Sequence, residues 1–159
     1  MNGNLSNKQF TKGKNHSFFR QHWGSPEMVI SSGIYDCSKL EGFAVVTHNE
    51  LLGLITYIMK EKECEIISLD STVEGKGIGS LLVKNVEELA IKQNCKRIRL
   101  ITTNDNLSAL RFYQKRGYLL YEVLRNAVEK ARKIKPEIPL FGNDGIPLRD
   151  EIVLEKQLN

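Results

Sequence analysis

Three glycines, Gly75, Gly77 and Gly79, alternate with Lys76 and Ile78 just ahead of an apolar-periodic stretch. Residues without side chains let successive backbone N–H groups converge on one point. A helix starting there adds its own unpaired N–H groups and the positive end of its dipole. The product is a seat for a phosphate or pyrophosphate, with Lys76 as a flexible positive charge beside it. Two common phosphate patterns fail here. The P-loop needs Ser or Thr after its lysine, and Lys76 is followed by Gly77. The dinucleotide fingerprint counted from Gly75 needs a third glycine where Ser80 stands. A turn that only joins a strand to a helix stays open beside the phosphate reading, because short motifs also match by chance.

The elements around the turn narrow the choice. Gly42–Thr47, Leu51–Met59 and Cys64–Leu69 are apolar, β-branched runs with short polar turns between them. Such spacing predicts an antiparallel meander leading into the glycines, which is wrong for a doubly wound nucleotide fold. After the turn, Ile78, Leu81, Leu82, Val86, Leu89 and Ala90 recur at helical spacing and predict a helix to about Gln93. Lys96–Thr102 alternates charged and apolar residues and predicts a strand, parallel to the one before the helix. A second helix is expected from Leu107 to Arg116, capped by Asn106 and ended by Gly117. Tyr118–Leu124 and Glu151–Glu155 predict further strands, and Asn126–Lys135 a basic helical insert before Pro136. Residues 28–35 fit either helix or strand. Residues 1–15 are polar and are expected to be partly disordered, with a short helix after them over His16–Gly24.

A second cluster follows some thirty residues after the glycines. Thr102–Tyr118 reads TTNDNLSALRFYQKRGY. It resembles a signature of the GNAT superfamily of N-acetyltransferases, Asn-x-x-Ala-x-x-Phe-Tyr-x-Lys-x-Gly-Phe. Asn106, Ala109, Phe112, Tyr113, Lys115 and Gly117 fall in register, with Tyr118 in place of the last Phe. The glycine turn resembles the same family's acyl-CoA loop, [Gln/Arg]-x-x-Gly-x-[Gly/Ala], at every position but the first, which is Glu74. The TTNDN run, with the tail GNDGIPLRDEIVLEK, looks like a bacterial subgroup of that family.

The resemblance implies a mixed α/β (α+β) fold. Its sheet is mostly antiparallel, with helices on both faces and one parallel strand pair splayed around acetyl-CoA. It implies acetyl-CoA as acetyl donor, with no metal, and an amine as acceptor. The residues implied in holding the donor are Leu69, Ser71, Gly75, Lys76, Gly77, Ile78, Gly79, Ser80, Asn106, Ala109, Phe112, Tyr113 and Lys115. With Glu74 an anion, backbone N–H groups of Gly75 to Ser80 are expected to carry the pyrophosphate. Tyr113 is the implied proton donor to the leaving thiolate: a phenol of pKa about 10 is matched to a thiol of about 8.5. Core packing is the competing reading of Tyr113, and a plain cap that of Asn106; for Phe112 core packing is the expectation. Glu65 resembles a glutamate base of some family members and is the candidate acceptor of the amine's proton, with a solvated strand-end glutamate as the alternative. Asp70 and Glu151 are weaker candidates. His22, Trp23, Tyr35, Asp36 and Glu151 are candidate lining of the acceptor pocket. A different class of function, an acyl-CoA-binding sensor without turnover, also fits.

Length and composition agree with one N-acetyltransferase domain over 1–159. The chain has 159 residues, 41% hydrophobic and 26% charged, with a formal net charge of +4. That mild excess suits an anionic small ligand, and no nucleic-acid motif accompanies it. Cys37, Cys64 and Cys95 match no metal spacing and no Cys-x-x-Cys pair. They read as reduced thiols in a cytoplasmic protein. No apolar run approaches the length of a membrane span, and the amino terminus lacks the apolar core of a signal peptide. Dimers are common in the family, so a homodimer is a further expectation.

Overall fold

The computed structural model describes residues 6–10, 27–48, 50–73 and 75–158. The chain forms two compact units. The first takes the residues before Met28, Asp36–Ile98 and the last two residues; the second takes Met28–Tyr35 and Arg99–Gln157.

In the first unit, strands β1 (Ser6–Phe10), β4 (Glu41–Thr47), β5 (Glu50–Lys60) and β6 (Glu63–Ser71) lie side by side in that order, each antiparallel to the next. The meander expected from the sequence is β4 to β6. Within the polar segment 1–15, Ser6–Phe10 forms a strand that the sequence did not announce, paired residue by residue with Gly42–Val46. An antiparallel ladder is made by backbone groups, so a polar segment can close an open edge without any apolar pattern to announce it. The expected helix at His16–Gly24 lies outside the described residues.

Helix α1 (Ile78–Lys92) packs on β4, β5 and β6 through Ile78, Leu82, Val83, Val86 and Ala90, all buried. Gly53, the fourth residue of β5, lies directly under the start of this helix. A Cβ there would lie 2.5 Å from Ile78 Cγ2 and 3.1 Å from Leu82 Cδ1. A glycine inside a strand often marks such an approach. After α1, the Lys96 N–H donates to the Lys62 carbonyl at 2.8 Å, and the Arg97 guanidinium grips Glu63. Strand β7 (Arg97–Thr103) therefore begins beside the beginning of β6 and runs in the same direction, which is the expected parallel pairing.

In the second unit, β7 is followed by α2 (Leu107–Lys115), β8 (Leu119–Leu124), α3 (Ala127–Ile134) and β9 (Glu151–Gln157). β9 lies between β7 and β8 and is antiparallel to β8. Residues 28–35 resolve as two short strands: β2 (Glu27–Ile30) and β3 (Gly33–Asp36) form a separate two-stranded sheet. The TTNDN run explains the irregular tail. Asn104 accepts from the Arg149 and Asp150 N–H groups at 3.1 and 3.0 Å and donates to the Pro147 carbonyl at 2.9 Å. Asp105, buried, accepts from Thr103 Oγ1 at 2.5 Å and from the Asn143 N–H at 2.8 Å. A Cβ on Gly142 would overlap the same carboxylate, so the tail passes there only as glycine. Arg132 of α3 completes the clamp by donating to the carbonyls of Ile138, Pro139 and Leu148.

Gly53→Ala is expected to cost about 1–3 kcal/mol through overpacking against Ile78 and Leu82. Denaturant unfolding measures it; an unchanged midpoint would mean the α1–β5 contact is looser than described. Asp105→Ala removes the acceptor of a held backbone N–H and is expected to cost about 1–3 kcal/mol. Hydrogen exchange at Asn143 should accelerate in the same variant, and protection equal to the wild type would refute the clamp.

Candidate functional site

The glycine turn is held from both ends. Ser71 Oγ donates to the Val73 carbonyl at 2.7 Å, and the Thr72 N–H donates to the Leu52 carbonyl at 2.8 Å. Gly75 and Gly77 then sit in the left-handed region, at φ 75° and 70°. A Cβ on either would meet nothing within 4 Å, so glycine is required by the backbone and not by crowding. Gly77 is the cap residue of α1 and supplies no side chain to its first turn, which also contains no acidic residue. The first N–H groups of a fifteen-residue helix thus face outward without a side-chain cap. Lys76 beside them is exposed; Gly79 and Ser80, in the first turn, are half-buried, and Ile78 points into the core. An anion fits this arrangement. Glu74, the departure from the family pattern, lies outside the described residues.

The strand before the turn carries the other candidates of this unit. Gly53 faces α1, so alternation puts Leu54, Thr56 and Ile58 of β5 on the opposite face. Their partners on β6 are Asp70, Ser68 and Glu65. A β-bulge at Ile67 keeps Glu65 on the face of Ser68 although they stand an odd number of positions apart. The expected base and its weaker rival Asp70 therefore share one sheet face. Between them, Thr56 Oγ1 and Ser68 Oγ lie 2.5 Å apart, and both hydroxyls hydrogen-bond the Cys37 thiol. Asp36 Oδ1 accepts from the Ser38 N–H at 3.0 Å and caps the 3-10 turn Cys37–Lys39.

All three cysteines are buried free thiols. Burial pushes Cys37 up to about 11 despite the two hydroxyls, and Cys64 up to about 12. At neutral pH almost no thiolate exists at either. Burial also raises the carboxyl of Asp70.

In the second unit, Asn106 accepts from the Ala109 N–H at 3.2 Å and caps α2. Gly117 takes the left-handed conformation after it, φ 92°, as the sequence predicts. Tyr113 is buried, edge-on to Phe112 at 5.0 Å and to Tyr118 at 5.3 Å between ring centroids. These edge-to-face contacts fix the ring. Phe112 departs from the expected core packing. It is half-buried, with the Arg116 guanidinium 3.6 Å above its ring centroid. Lys115 is exposed and Ala109 half-buried. Of the expected pocket lining, Tyr35 donates to Ser32 Oγ at 3.0 Å, while Glu151, buried, accepts from the Ser31 N–H at 3.0 Å. Glu151 thus ties the β2–β3 turn to the start of β9. Its neighbour Asp150 is gripped by Arg149 through two contacts of 2.9 Å and accepts from the Asn126 N–H at 2.8 Å. The guanidinium, then the N–H, holds the Asp150 carboxyl below its ordinary value. His22 and Trp23 lie outside the described residues.

Sequence reasoning missed Gly53 and the tail-holding roles of Asn104 and Asp105. An isolated glycine inside a β-type run signals the first. The second was visible only as side chains able to bond backbone groups at a strand end.

Comparison with known proteins places these features in a family. The profile of the acetyltransferase (GNAT) family matches residues 6–118. The chain is 58% identical over 143 residues to the uncharacterized protein YxbD of Bacillus subtilis (strain 168), covering 89% of this chain and 90% of that one. It is 53% identical over 156 residues to the uncharacterized protein YdhI of the same organism, covering 98% of each. Its fold is similar to that of an IAA acetyltransferase from Bacillus cereus ATCC 14579, with a TM-score of 0.76 at 18% identity, covering 97% of this chain and 99% of that one. It is also similar to a GNAT family acetyltransferase from Elizabethkingia anophelis with acetyl-CoA bound, with a TM-score of 0.70 at 19% identity, covering 99% and 100%. A match over most of the chain, with both signatures inside it, makes this protein a member of the GNAT family of acetyltransferases.

Proposed function

We propose that the protein transfers an acetyl group from acetyl-CoA to a primary amine by direct attack in a ternary complex. The observation that carries this reading is the start of α1: two left-handed glycines open onto helical N–H groups that no side chain caps. The pyrophosphate of acetyl-CoA would be held there by N–H groups of Gly75 to Ser80, with Lys76 as counter-charge. The acetyl-CoA bound to the Elizabethkingia anophelis relative supports the same donor.

The proton account follows from side-chain chemistry. The acceptor arrives as an ammonium, since an alkylamine has a pKa near 10.4. Glu65 takes a proton from it. The free amine attacks the thioester carbonyl; a C–N bond forms and the C–S bond breaks. Tyr113 donates a proton to the leaving thiolate, and the second proton shed by the nitrogen as the amide forms restores the phenol. The cysteines support direct attack over relay through an acyl-enzyme, because buried thiols held near 11 and 12 are poor nucleophiles. A homodimer in the cytoplasm completes the proposal, on family precedent and the absence of paired cysteines.

Free thiol release from acetyl-CoA, followed across a panel of amines, amino acids, polyamines and peptides, tests the reaction. We expect release that depends on the amine, with kcat about 100-fold lower in Tyr113→Phe. Acetyl-CoA binding without release for any amine would favour a sensor. Gly77→Val forces a β-branched residue into the left-handed region and should weaken acetyl-CoA binding about tenfold. Calorimetry measures this, and an unchanged Kd would remove the pyrophosphate from this turn.

A further inference from the structure

Strand β8 is the last of its sheet. β9 pairs with one of its edges, and among the described residues no strand lies along the other. Its side chains are not those of a solvated edge. Leu119, Leu120, Tyr121 and Val123 are 72%, 56%, 63% and 58% exposed, and Glu122 is the one charged residue of the strand. Soluble chains blunt a free edge with charged residues, proline or a cover, and they scatter exposed apolar side chains singly. Four such side chains in five consecutive positions, along a row of edge N–H and C=O groups, suit a further strand as neighbour.

A bulge in β8 says which strand. Leu119, Glu122 and Leu124 oppose Glu155, Val153 and Glu151 of β9, so they share one sheet face. Leu120 and Val123 oppose Leu154 and Ile152 and share the other face, with Tyr121 as the extra residue between them. Two copies of β8 related by a two-fold axis would run antiparallel in one continuous sheet, where opposed residues must share a face. In a strand without a bulge, alternation would put Leu119 and Leu124 on opposite faces, and a register centred on the strand would be forbidden. The extra residue at 121 removes that conflict. Centred on the Tyr121–Glu122 peptide, Leu119 of one copy meets Leu124 of the other on one face, and Leu120 meets Val123 on the other face. Glu122 then meets Tyr121 and not a second Glu122, so the like charges are not set directly opposite. An unrelated strand would require no such symmetry of β8.

We propose that β8 is the edge through which the chain self-associates, pairing antiparallel with β8 of a second copy about a two-fold axis at Tyr121–Glu122. This assignment rests on the homodimer proposed above and adds its surface and its register. The two strands bury their apolar side chains against each other, and the interface is closed, because each copy uses up the edge of the other.

Sedimentation equilibrium on the full chain measures the dimer Kd. Leu120→Glu and Val123→Lys, each alone, set a charge against an apolar residue at two symmetric places, and each should raise Kd at least about tenfold. In the double variant the introduced carboxylate and ammonium lie opposite each other twice, so part of the loss should be recovered. Leu140→Lys changes a side chain that is 65% exposed but outside β8, and should leave Kd as in the wild type. An unchanged far-UV circular dichroism spectrum separates lost association from lost folding. A dimeric wild type whose Kd neither single variant alters, or a double variant no tighter than the single ones, would overturn the assignment and leave the homodimer standing. A wild type that stays monomeric at every concentration would overturn the homodimer and the assignment with it. Co-sedimentation of that monomer with phosphatidylglycerol vesicles would give the apolar edge to a membrane instead.

Discussion

The contact on which the first unit depends is the one between Gly53 and the start of α1. A helix N-terminus can serve as an anion seat only if its position is fixed, and Ile78 is the first residue of that helix. The missing side chain at Gly53 lets Ile78 and Leu82 settle directly on β5. Thr72, reaching the carbonyls of Leu51 and Leu52, ties the far side of the turn to the same strand. The glycines at 75 and 77 are then free to take left-handed conformations because both flanks are anchored. A turn that looks loose in sequence is built as a short bridge between two fixed points.

Much of this was legible in the residues. Strands β4 to β9 and the three helices follow the predicted order, with ends displaced by only one or two residues, because apolar periodicity and capping residues such as Asn106 and Gly117 are local signals. What escaped was non-local. β1 has no apolar pattern, since it is recruited by the free edge of β4. Residues 28–35 were ambiguous because a hairpin of four-residue strands is too short to show a period. Phe112 was expected in the core, yet Arg116, four residues on, stacks over it; a cation and a ring at helical spacing compete with burial, and the sequence does not say which prevails. The β-bulge at Ile67 is the largest omission for function, since it decides that Glu65 shares a face with Ser68 and Asp70. Simple alternation would have put Glu65 on the other side.

The buried polar groups divide into two kinds. Asp105, Asp150 and Glu151 accept from backbone N–H groups or a guanidinium, and they hold segments in place. Thr56, Ser68 and Cys37 satisfy one another on the sheet face away from α1. Burial alone therefore does not mark a reactive group. The same reasoning separates the thiols from the chemistry: they are enclosed and held protonated.

The clamp around Asn104 and Asp105 bears on how such chains are to be read. The side chains at 104 and 105 are shaped to the backbone of 142–150, and Gly142 is shaped to Asp105 in return. TTND and GNDGIPLRD are thus one word spelled in two places, some forty residues apart. A hybrid gene that takes its tail from another acetyltransferase would inherit half of that word, and would have to import the strand end at 103–105 along with it.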